Sequence, residues 1–206
     1  MTLRLNGSTS GYTEIDAPAV AGSNTLVLPT GNGTANQALV TDGSGTLSFA
    51  DRGRMVQGTA QASTSGTSID FTSIPSWVKR VTVLLNGIST NGTSLFLIQL
   101  GDSGGIETTG YTSGAGSRAA ETTSTAGFVL NAAGVAASVF TGVIPICTMS
   151  TNLWVTSGVL NRVTDGFSNS FGGTKTLSST LDRVRITTVN GTDTFDAGTI
   201  NILYEG

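Results

Sequence analysis

Five Asn-Gly pairs are distributed along the chain, and short apolar runs separate them. The pairs are Asn6-Gly7, Asn32-Gly33, Asn86-Gly87, Asn91-Gly92 and Asn190-Gly191. Asn-Gly is the strongest short-range signal for a β-hairpin, because both residues tolerate the positive φ angles of a type I′ turn. The pattern therefore predicts many short strands joined by tight turns.

Composition points the same way. Charged residues make up 11% of the 206 residues, against about 25% in typical globular domains. The apolar share is 38% and the formal net charge is only −3, so the chain is expected to bury a core rather than to be disordered. Glycine favours sharp turns and Thr favours pleated strands, and no helical periodicity persists along the chain. We expect an all-β protein.

The first 50 residues differ from the rest, because their apolar runs are only two to five residues long. These runs are Leu3–Leu5, Tyr12–Ile15, Thr25–Pro29, Ala38–Thr41 and Thr46–Phe49. Strands this short, with so few large side chains, do not close a core within one chain. We expect identical copies to supply the missing surface, in an intertwined cyclic homotrimer. Residues 1–52 form this predicted module, and the charged stretch 51–54 marks the junction.

Residues 53–206 predict an antiparallel β-sandwich, jelly-roll-like, with about eight strands. The predicted strands alternate or are continuously apolar, and lie near Val81–Leu85, Leu95–Leu100, Val135–Ile146, Leu153–Leu160, Val184–Ile186 and Ile200–Tyr204. The pair Asn86-Gly87 is predicted to turn the chain, and residues 118–125 are given a short helical turn. Cys147, the single cysteine, is interpreted as a small buried hydrophobe.

Two polar segments, residues 101–127 and 164–175, are predicted to be long loops. Three aromatic residues, Tyr111, Phe167 and Phe171, lie in them, and Arg118 lies in the first. Aromatic side chains on the loops of a rigid sandwich often form binding platforms. We therefore take these four residues as candidate binding residues. The alternative is that the aromatic residues only close the ends of the sandwich.

Several kinds of chemistry are disfavoured by what the chain lacks. Histidine is absent, which removes the commonest general base and the commonest metal ligand. The sequence Gly101-Asp102-Ser103-Gly104-Gly105 resembles the segment around a trypsin-like nucleophile, but no histidine is present to activate Ser103. The carboxylates are scattered, and no basic stripe or long apolar helix is evident. We predict no catalytic, metal or cofactor site, no nucleic-acid binding and no membrane insertion.

Residues 2–50 resemble a module of tail-fibre and other virion proteins of bacteriophages, cyanophages especially. The resemblance rests on Gly11-Tyr12, Ala17-Pro18-Ala19, Thr25–Pro29 and Asp42-Gly43-Ser44-Gly45. Residues 74–80, 99–107 and 196–205 are similar, more weakly, to domains at the ends of phage tail proteins. The resemblance implies a trimeric virion component, with the N-terminal module in attachment and the C-terminal domain facing outward.

Three functions remain open at this point. The first is a short tail fibre or fibre tip that binds a polysaccharide or protein of the host surface. The second is a capsid decoration or cement protein, or a head fibre, that stabilises the shell. The third, least favoured because no carboxylate pair stands out, is a polysaccharide depolymerase. Residues 1–7 show no run typical of a signal peptide, so we expect synthesis in the host cytoplasm and a final location in the virion.

Overall fold

Every regular element that the structure describes is a β-strand. The structure is a computed structural model that describes residues 3–35, 37–50 and 53–206. Residues 51 and 52, part of the predicted junction, lie outside the described residues. The chain divides into two compact units, Met1–Arg52 and Gly53–Gly206. The prediction of an all-β protein is confirmed.

The N-terminal unit contains two small hairpins. Strand β1 (Leu3–Asn6) pairs with β2 (Tyr12–Ile15), and β3 (Ala38–Thr41) pairs with β4 (Leu47–Ala50), both antiparallel. The apolar run at 25–29 makes only an isolated parallel bridge between Val27 and Thr46. Each hairpin has two strands of four residues, a size that is marginal on its own in water.

The C-terminal unit contains fourteen described strands. They are β5 (Met55–Gln57), β6 (Gln61–Ala62), β7 (Ile69–Phe71), β8 (Arg80–Thr90), β9 (Phe96–Asp102), β10 (Gly105–Ile106), β11 (Tyr111–Gly116), β12 (Glu121–Ser124), β13 (Phe128–Val129), β14 (Phe140–Ser150), β15 (Leu153–Arg162), β16 (Phe167–Thr176), β17 (Arg183–Thr188) and β18 (Phe195–Glu205). Nine form one sheet in the order β12-β11-β16-β15-β14-β8-β18-β5, with β6 also on β18. Five form a second sheet in the order β10-β9-β17-β7, with β13 also on β9.

The two sheets of the C-terminal unit enclose one hydrophobic core, as in a β-sandwich. Ile144, Ile146 and Ile200 from the nine-stranded sheet and Ile98 and Val184 from the five-stranded sheet are all 0% exposed. Every residue of β9 is buried, which confirms the strand predicted from the continuous apolar run at 95–100. The inward positions predicted in β17 and β18 are confirmed in the same way.

The segment 101–127, predicted as a long loop, is mostly sheet. It contains β10, β11 and β12, and β11 pairs along its whole length with β16. Gly, Ser and Thr give no apolar alternation, so the strands were not recognisable from side-chain pattern. Backbone hydrogen bonds and the inward residues Tyr111 and Ala115 hold them instead. The helical turn predicted at 118–125 is also wrong, because Glu121–Ser124 is a strand.

The second predicted loop, 164–175, is largely β16. Its glycines allow close packing: a Cβ at Gly173 would lie 2.7 Å from the carbonyl oxygen of Thr112 and 3.0 Å from the ring of Phe128. Glycine weakens a strand in isolation, but here the absence of a side chain lets β11 and β13 approach. The number of strands in this unit, predicted as about eight, is accordingly too low.

Asn86-Gly87 does not reverse the chain. Both residues lie within β8, and the register of β8 against β14 and β18 shifts there. Gly87 has φ 65°, so the pair forms a β-bulge, which needs the same positive φ as a hairpin turn. The strand predicted from Val135 begins only at Phe140, after a turn in which Ser138 N–H donates to Val135 O (2.8 Å).

Candidate functional site

Tyr111, predicted as an exposed contact residue, lies in the core. It is 2% exposed at the start of β11, and its ring packs edge-on against Phe128. Its hydroxyl accepts from Leu100 N–H (2.7 Å) and donates to Glu107 O (3.1 Å). Burial raises the pKa of Tyr111 above its ordinary value. The side chain ties the two sheets together and is not available as a surface contact.

Phe171, also predicted as a contact residue, is 6% exposed. It points inward from β16, and a Cβ at Gly158 of β15 would lie 2.8 Å from its ring. Its position follows from the alternation of β16, in which Asn169, Phe171 and Lys175 face the core. Tyr111 and Phe171 are therefore structural residues rather than contact residues, and they lie in the core cluster rather than at an exposed surface.

Arg118 and Phe167 come together at one end of the nine-stranded sheet. Arg118 lies in the turn between β11 and β12, and its guanidinium stands 5.0 Å from the ring centroid of Phe167. Phe167 begins β16, and Arg162 at the end of β15 lies 4.6 Å from the same centroid. A guanidinium stacked on an aromatic ring keeps the edge that carries its N–H donors free.

Asp165 forms an ion pair with Arg162. Arg162 donates from Nε and Nη2 to its two carboxylate oxygens at 2.8 and 2.6 Å, and these hydrogen bonds lower the pKa of Asp165. Arg118, by contrast, has no ion-pair partner among the residues that the structure describes. The local arrangement therefore contains one neutralised guanidinium and one free guanidinium on a shared ring.

These side chains line an open cavity of about 330 Å³, which we call the edge site. Its lining residues are Arg118, Asp165, Gly166, Phe167 and Ser168. The ring of Phe167 is covered by guanidinium groups, so the free aromatic platform expected from the sequence is not what the cavity offers. It offers the N–H donors of Arg118, which suit a carboxylate, a phosphate or the hydroxyl groups of a saccharide. The Ser168 hydroxyl donates to Asn161 Oδ1 (3.0 Å) and can only accept from a ligand.

A shallower groove of about 570 Å³ lies along the neighbouring part of the same strands. It is lined by Gly114, Ala115, Gly116, Glu121, Thr122, Thr123, Ser170 and Phe171. The groove lies beside the edge site because β11 pairs with β16, with Gly116 opposite Ser170. Three of the four predicted residues thus converge on one end of the sheet, with Phe171 contributing only to the groove wall.

A buried ionic network closes the opposite end of β11. Lys175 is 5% exposed, and its Nζ lies 2.5 Å from Glu107 Oε2 and 2.7 Å from Thr109 O. The Ser178 hydroxyl is 2.7 Å from Glu107 Oε1 and 2.9 Å from Asp102 Oδ2. Burial opposes the charge of Glu107, but hydrogen bonds from Lys175 and Ser178 outweigh it and lower its pKa.

Sequence reasoning missed Arg162, Asp165, Ser168 and Glu121. The spacing of Arg162 and Asp165 around a polar turn was a usable signal, because residues flanking a hairpin turn lie close together. The convergence of that turn with Arg118 depends on the pairing of β11 with β16, which no local pattern reveals. Within the described residues, no group of three or more acidic or Cys side chains is placed to hold a metal ion.

The N-terminal unit presents a different candidate surface, made of apolar side chains. Its exposed large hydrophobic residues are Leu3, Leu5, Tyr12, Ile15, Val20, Leu26, Val27, Leu28 and Leu39, each more than half exposed. All four residues of β1 and of β2 are exposed. Within the first hairpin Leu3, Leu5 and Ile15 share one face, and exposed apolar side chains grouped in this way mark a site of association.

Comparisons with known proteins give no relative. No family model matches the chain, no curated protein matches it, and no solved structure matches it. None of the described residues belongs to a helix long and apolar enough to cross a membrane.

Proposed function

We propose that the protein is a structural component of a phage particle, a homotrimeric short tail fibre or fibre tip with a role in binding the host surface. Two independent features support the proposal. One is the resemblance of residues 2–50 to the module of phage virion proteins. The other is the apolar surface of the N-terminal unit, which copies of the chain would cover.

The apolar N-terminal surface is the observation that carries the proposal. Nine large hydrophobic side chains of this unit are more than half exposed, although each contributes roughly 1.5–3 kcal/mol when fully buried. These side chains add to the stability of the unit only when another surface covers them. A second and a third copy present the same short strands and the same side chains, which is the arrangement expected of an intertwined fibre module.

In this proposal the two units have separate roles. The N-terminal unit holds the copies together and attaches to other virion proteins. The C-terminal unit carries the edge site, where Arg118 is the one unpaired cation among its lining residues. A host-surface polysaccharide or protein with an acidic group fits this chemistry best, because a free guanidinium edge binds carboxylate and phosphate in bidentate fashion.

Adsorption competition tests the host-binding role. Purified full-length protein, added to host cells before phage, is expected to reduce adsorption, and Arg118→Ala is expected to weaken that competition. Lys79→Ala, another exposed cation without an ion pair among the described residues, is the matched control. Equal competition by the Arg118→Ala and Lys79→Ala variants would show that the edge site does not bind the host surface. Absence of competition by the wild-type protein would contradict the host-binding role.

A capsid decoration protein, cement protein or head fibre is the second candidate, because the apolar N-terminal surface would serve docking to a shell equally well. Gold-labelled antibody on intact particles separates the two. Gold at the tail or baseplate supports the tail component. Gold distributed over the head supports the decoration protein, and such particles are expected to lose resistance to osmotic shock when the protein is absent.

A further inference from the structure

The face of the nine-stranded sheet that points away from the core is apolar at its centre. We call it the outer face. Val143 and Met149 of β14 are 58% and 73% exposed, and Val159 of β15 is 48% exposed. Further half-buried side chains complete this surface, namely Leu84, Pro145, Cys147, Val155 and Leu203.

The pairing register shows that these residues form adjoining rows. Leu84 is opposite Val143, and Thr82 is opposite both Pro145 and Leu203. Cys147 is opposite Val155 on one side and Arg80 on the other. The rows run across β18, β8, β14 and β15, and β16 continues them with small and hydroxyl side chains. The apolar residues are therefore one patch rather than scattered positions.

Charge is confined to the rim of this face. Only Arg80 and Glu205 are charged among the outward positions of the central strands, all of which the structure describes. These positions lie in Thr199–Glu205 of β18, in Arg80–Asn86 of β8, and along the whole of β14, β15 and β16. Arg80 and Glu205 pair with each other at 3.6 Å. A partner for this face must consequently be apolar and neutral, as is typical of the centre of a protein interface.

The size of the patch fits a protein partner. Five strands about 4.8 Å apart and about eight residues long at ~3.3 Å each give an area of roughly 600 Å². It approaches the roughly 800 Å² that each partner buries in a stable interface. Aliphatic rows without an exposed aromatic ring or a free charge do not fit a saccharide.

We propose that the outer face is the surface through which the C-terminal units of neighbouring copies of this chain contact one another. The inference rests on the proposed homotrimer, in which the N-terminal unit brings copies together and raises their effective concentration. In a cyclic trimer the contacts are heterologous, so the outer face of one copy packs against a different surface of its neighbour. The lack of charge on the outer face favours a neutral, apolar part of that neighbour. Val143, Val159 and Cys147 become buried in that assembly.

Cys147 supplies a direct reporter, because it is the only cysteine of the chain and lies within the outer face. In the full-length wild-type protein its alkylation is expected to be slow. The double variant Val143→Asp with Val159→Asp opens the face, and we expect Cys147 to react at least about 10-fold faster, since thiol reactivity follows access. The matched control combines Val135→Asp with Val189→Asp, at positions 60% and 52% exposed outside the outer face, and is expected to react like wild type.

A second, more conservative variant distinguishes opening of the outer face from loss of folding. Val143→Thr with Val159→Thr keeps the β-branched shape that suits a strand and is expected to give an intermediate alkylation rate. Equal rates in wild type and all variants, with a trimeric mass by light scattering, would overturn the inference and leave the proposed homotrimer standing. A monomeric mass for the wild-type chain would overturn both.

Discussion

The two units of this chain bury their apolar side chains to opposite extents. In the C-terminal unit thirty hydrophobic residues form one buried cluster, and many of them are fully inaccessible. In the N-terminal unit the leucines of β1, β3 and the 26–28 segment are more than half exposed. Both units have the same kind of composition, rich in Gly and Thr. The difference lies in strand length and in the number of strands stacked.

This contrast relates strand length to the amount of apolar surface that a unit buries by itself. Strands of ten or eleven residues, as in β8, β14 and β18, present several inward side chains and pair on both edges. Strands of four residues present two. The C-terminal unit therefore forms its core within one copy, whereas we propose that other copies supply the surface that covers the apolar side chains of the N-terminal unit.

The largest effect is expected from a substitution in the core of the C-terminal unit. Leu100→Ala removes a side chain that is 0% exposed in β9, and such a cavity costs about 2–5 kcal/mol. Urea unfolding followed by circular dichroism measures it. Val189→Ala, at a side chain 52% exposed, is the control and should change the free energy of unfolding little. A small effect at Leu100 would mean that the sandwich is loosely packed.

The buried ion pair of the C-terminal unit is expected to have the next largest effect. Glu107→Gln leaves Lys175 buried without its carboxylate, at a cost of about 2 kcal/mol after allowing for the partial exposure of Glu107. Glu107→Gln should be compared with Glu121→Gln, an exposed carboxylate with no ion pair among the described residues. Equal unfolding free energies for the two variants at neutral pH would contradict a stabilising role for the pair.

The same pair predicts a pH dependence of stability. The pKa of Glu107 is lower in the folded protein than its ordinary value of 4.5, so the folded state holds the charged form more strongly than the unfolded chain does. The contribution is therefore fully present above the ordinary pKa and is lost as pH falls through the lower folded value. Thermal unfolding between neutral and acid pH should show a larger loss of stability in wild type than in Glu107→Gln, because the variant retains only the contributions of other carboxylates such as Asp165.

A smaller effect per copy is expected in the N-terminal unit, and it should depend on concentration. Leu5→Ala changes a side chain that is 56% exposed in a single copy but covered in the proposed trimer. Loss of this contact is expected to cost about 1–2 kcal/mol per copy, seen as a lower melting temperature at low protein concentration. A melting temperature unaffected by both the substitution and dilution would contradict coverage by other copies.

Arg118→Ala should have the smallest effect on stability, within about 0.5 kcal/mol, because the residue is exposed and has no ion pair. Arg162→Ala is the informative comparison, since Arg162 is largely covered and bound to Asp165. Thermal melting of both variants checks this order. A large loss with Arg118→Ala would indicate that this arginine holds the turn between β11 and β12 rather than a ligand.

The sequence predicted those parts of the fold in which side chains alternate. Val184 and Ile186, and Ile200 and Ile202, follow the period of a half-buried strand and face the core as expected. The glycine-rich strands β11 and β16 were missed, because glycine contributes no apolar signal and its fit depends on the neighbouring sheet. Gly87 was misassigned because a β-bulge and a hairpin turn require the same positive φ.

The candidate site was predictable only in part. Arg118 and Phe167 are predicted as binding residues because they lie in polar segments, and the structure brings them together through the pairing of β11 with β16. Tyr111 was named on the same grounds and lies in the core, because its polar hydroxyl finds backbone partners at Leu100 and Glu107. Composition alone does not distinguish an aromatic residue that faces solvent from one whose hydroxyl is satisfied internally.

The mass of the full-length protein in solution tests the central claim most directly. Size-exclusion chromatography with light scattering gives that mass without reference to shape. We predict three times the mass of the 20.9 kDa chain, stable to dilution, because the N-terminal unit is covered only when copies associate. A monomer of 20.9 kDa with a folded N-terminal unit would contradict the account, since the exposed leucines would then need no partner.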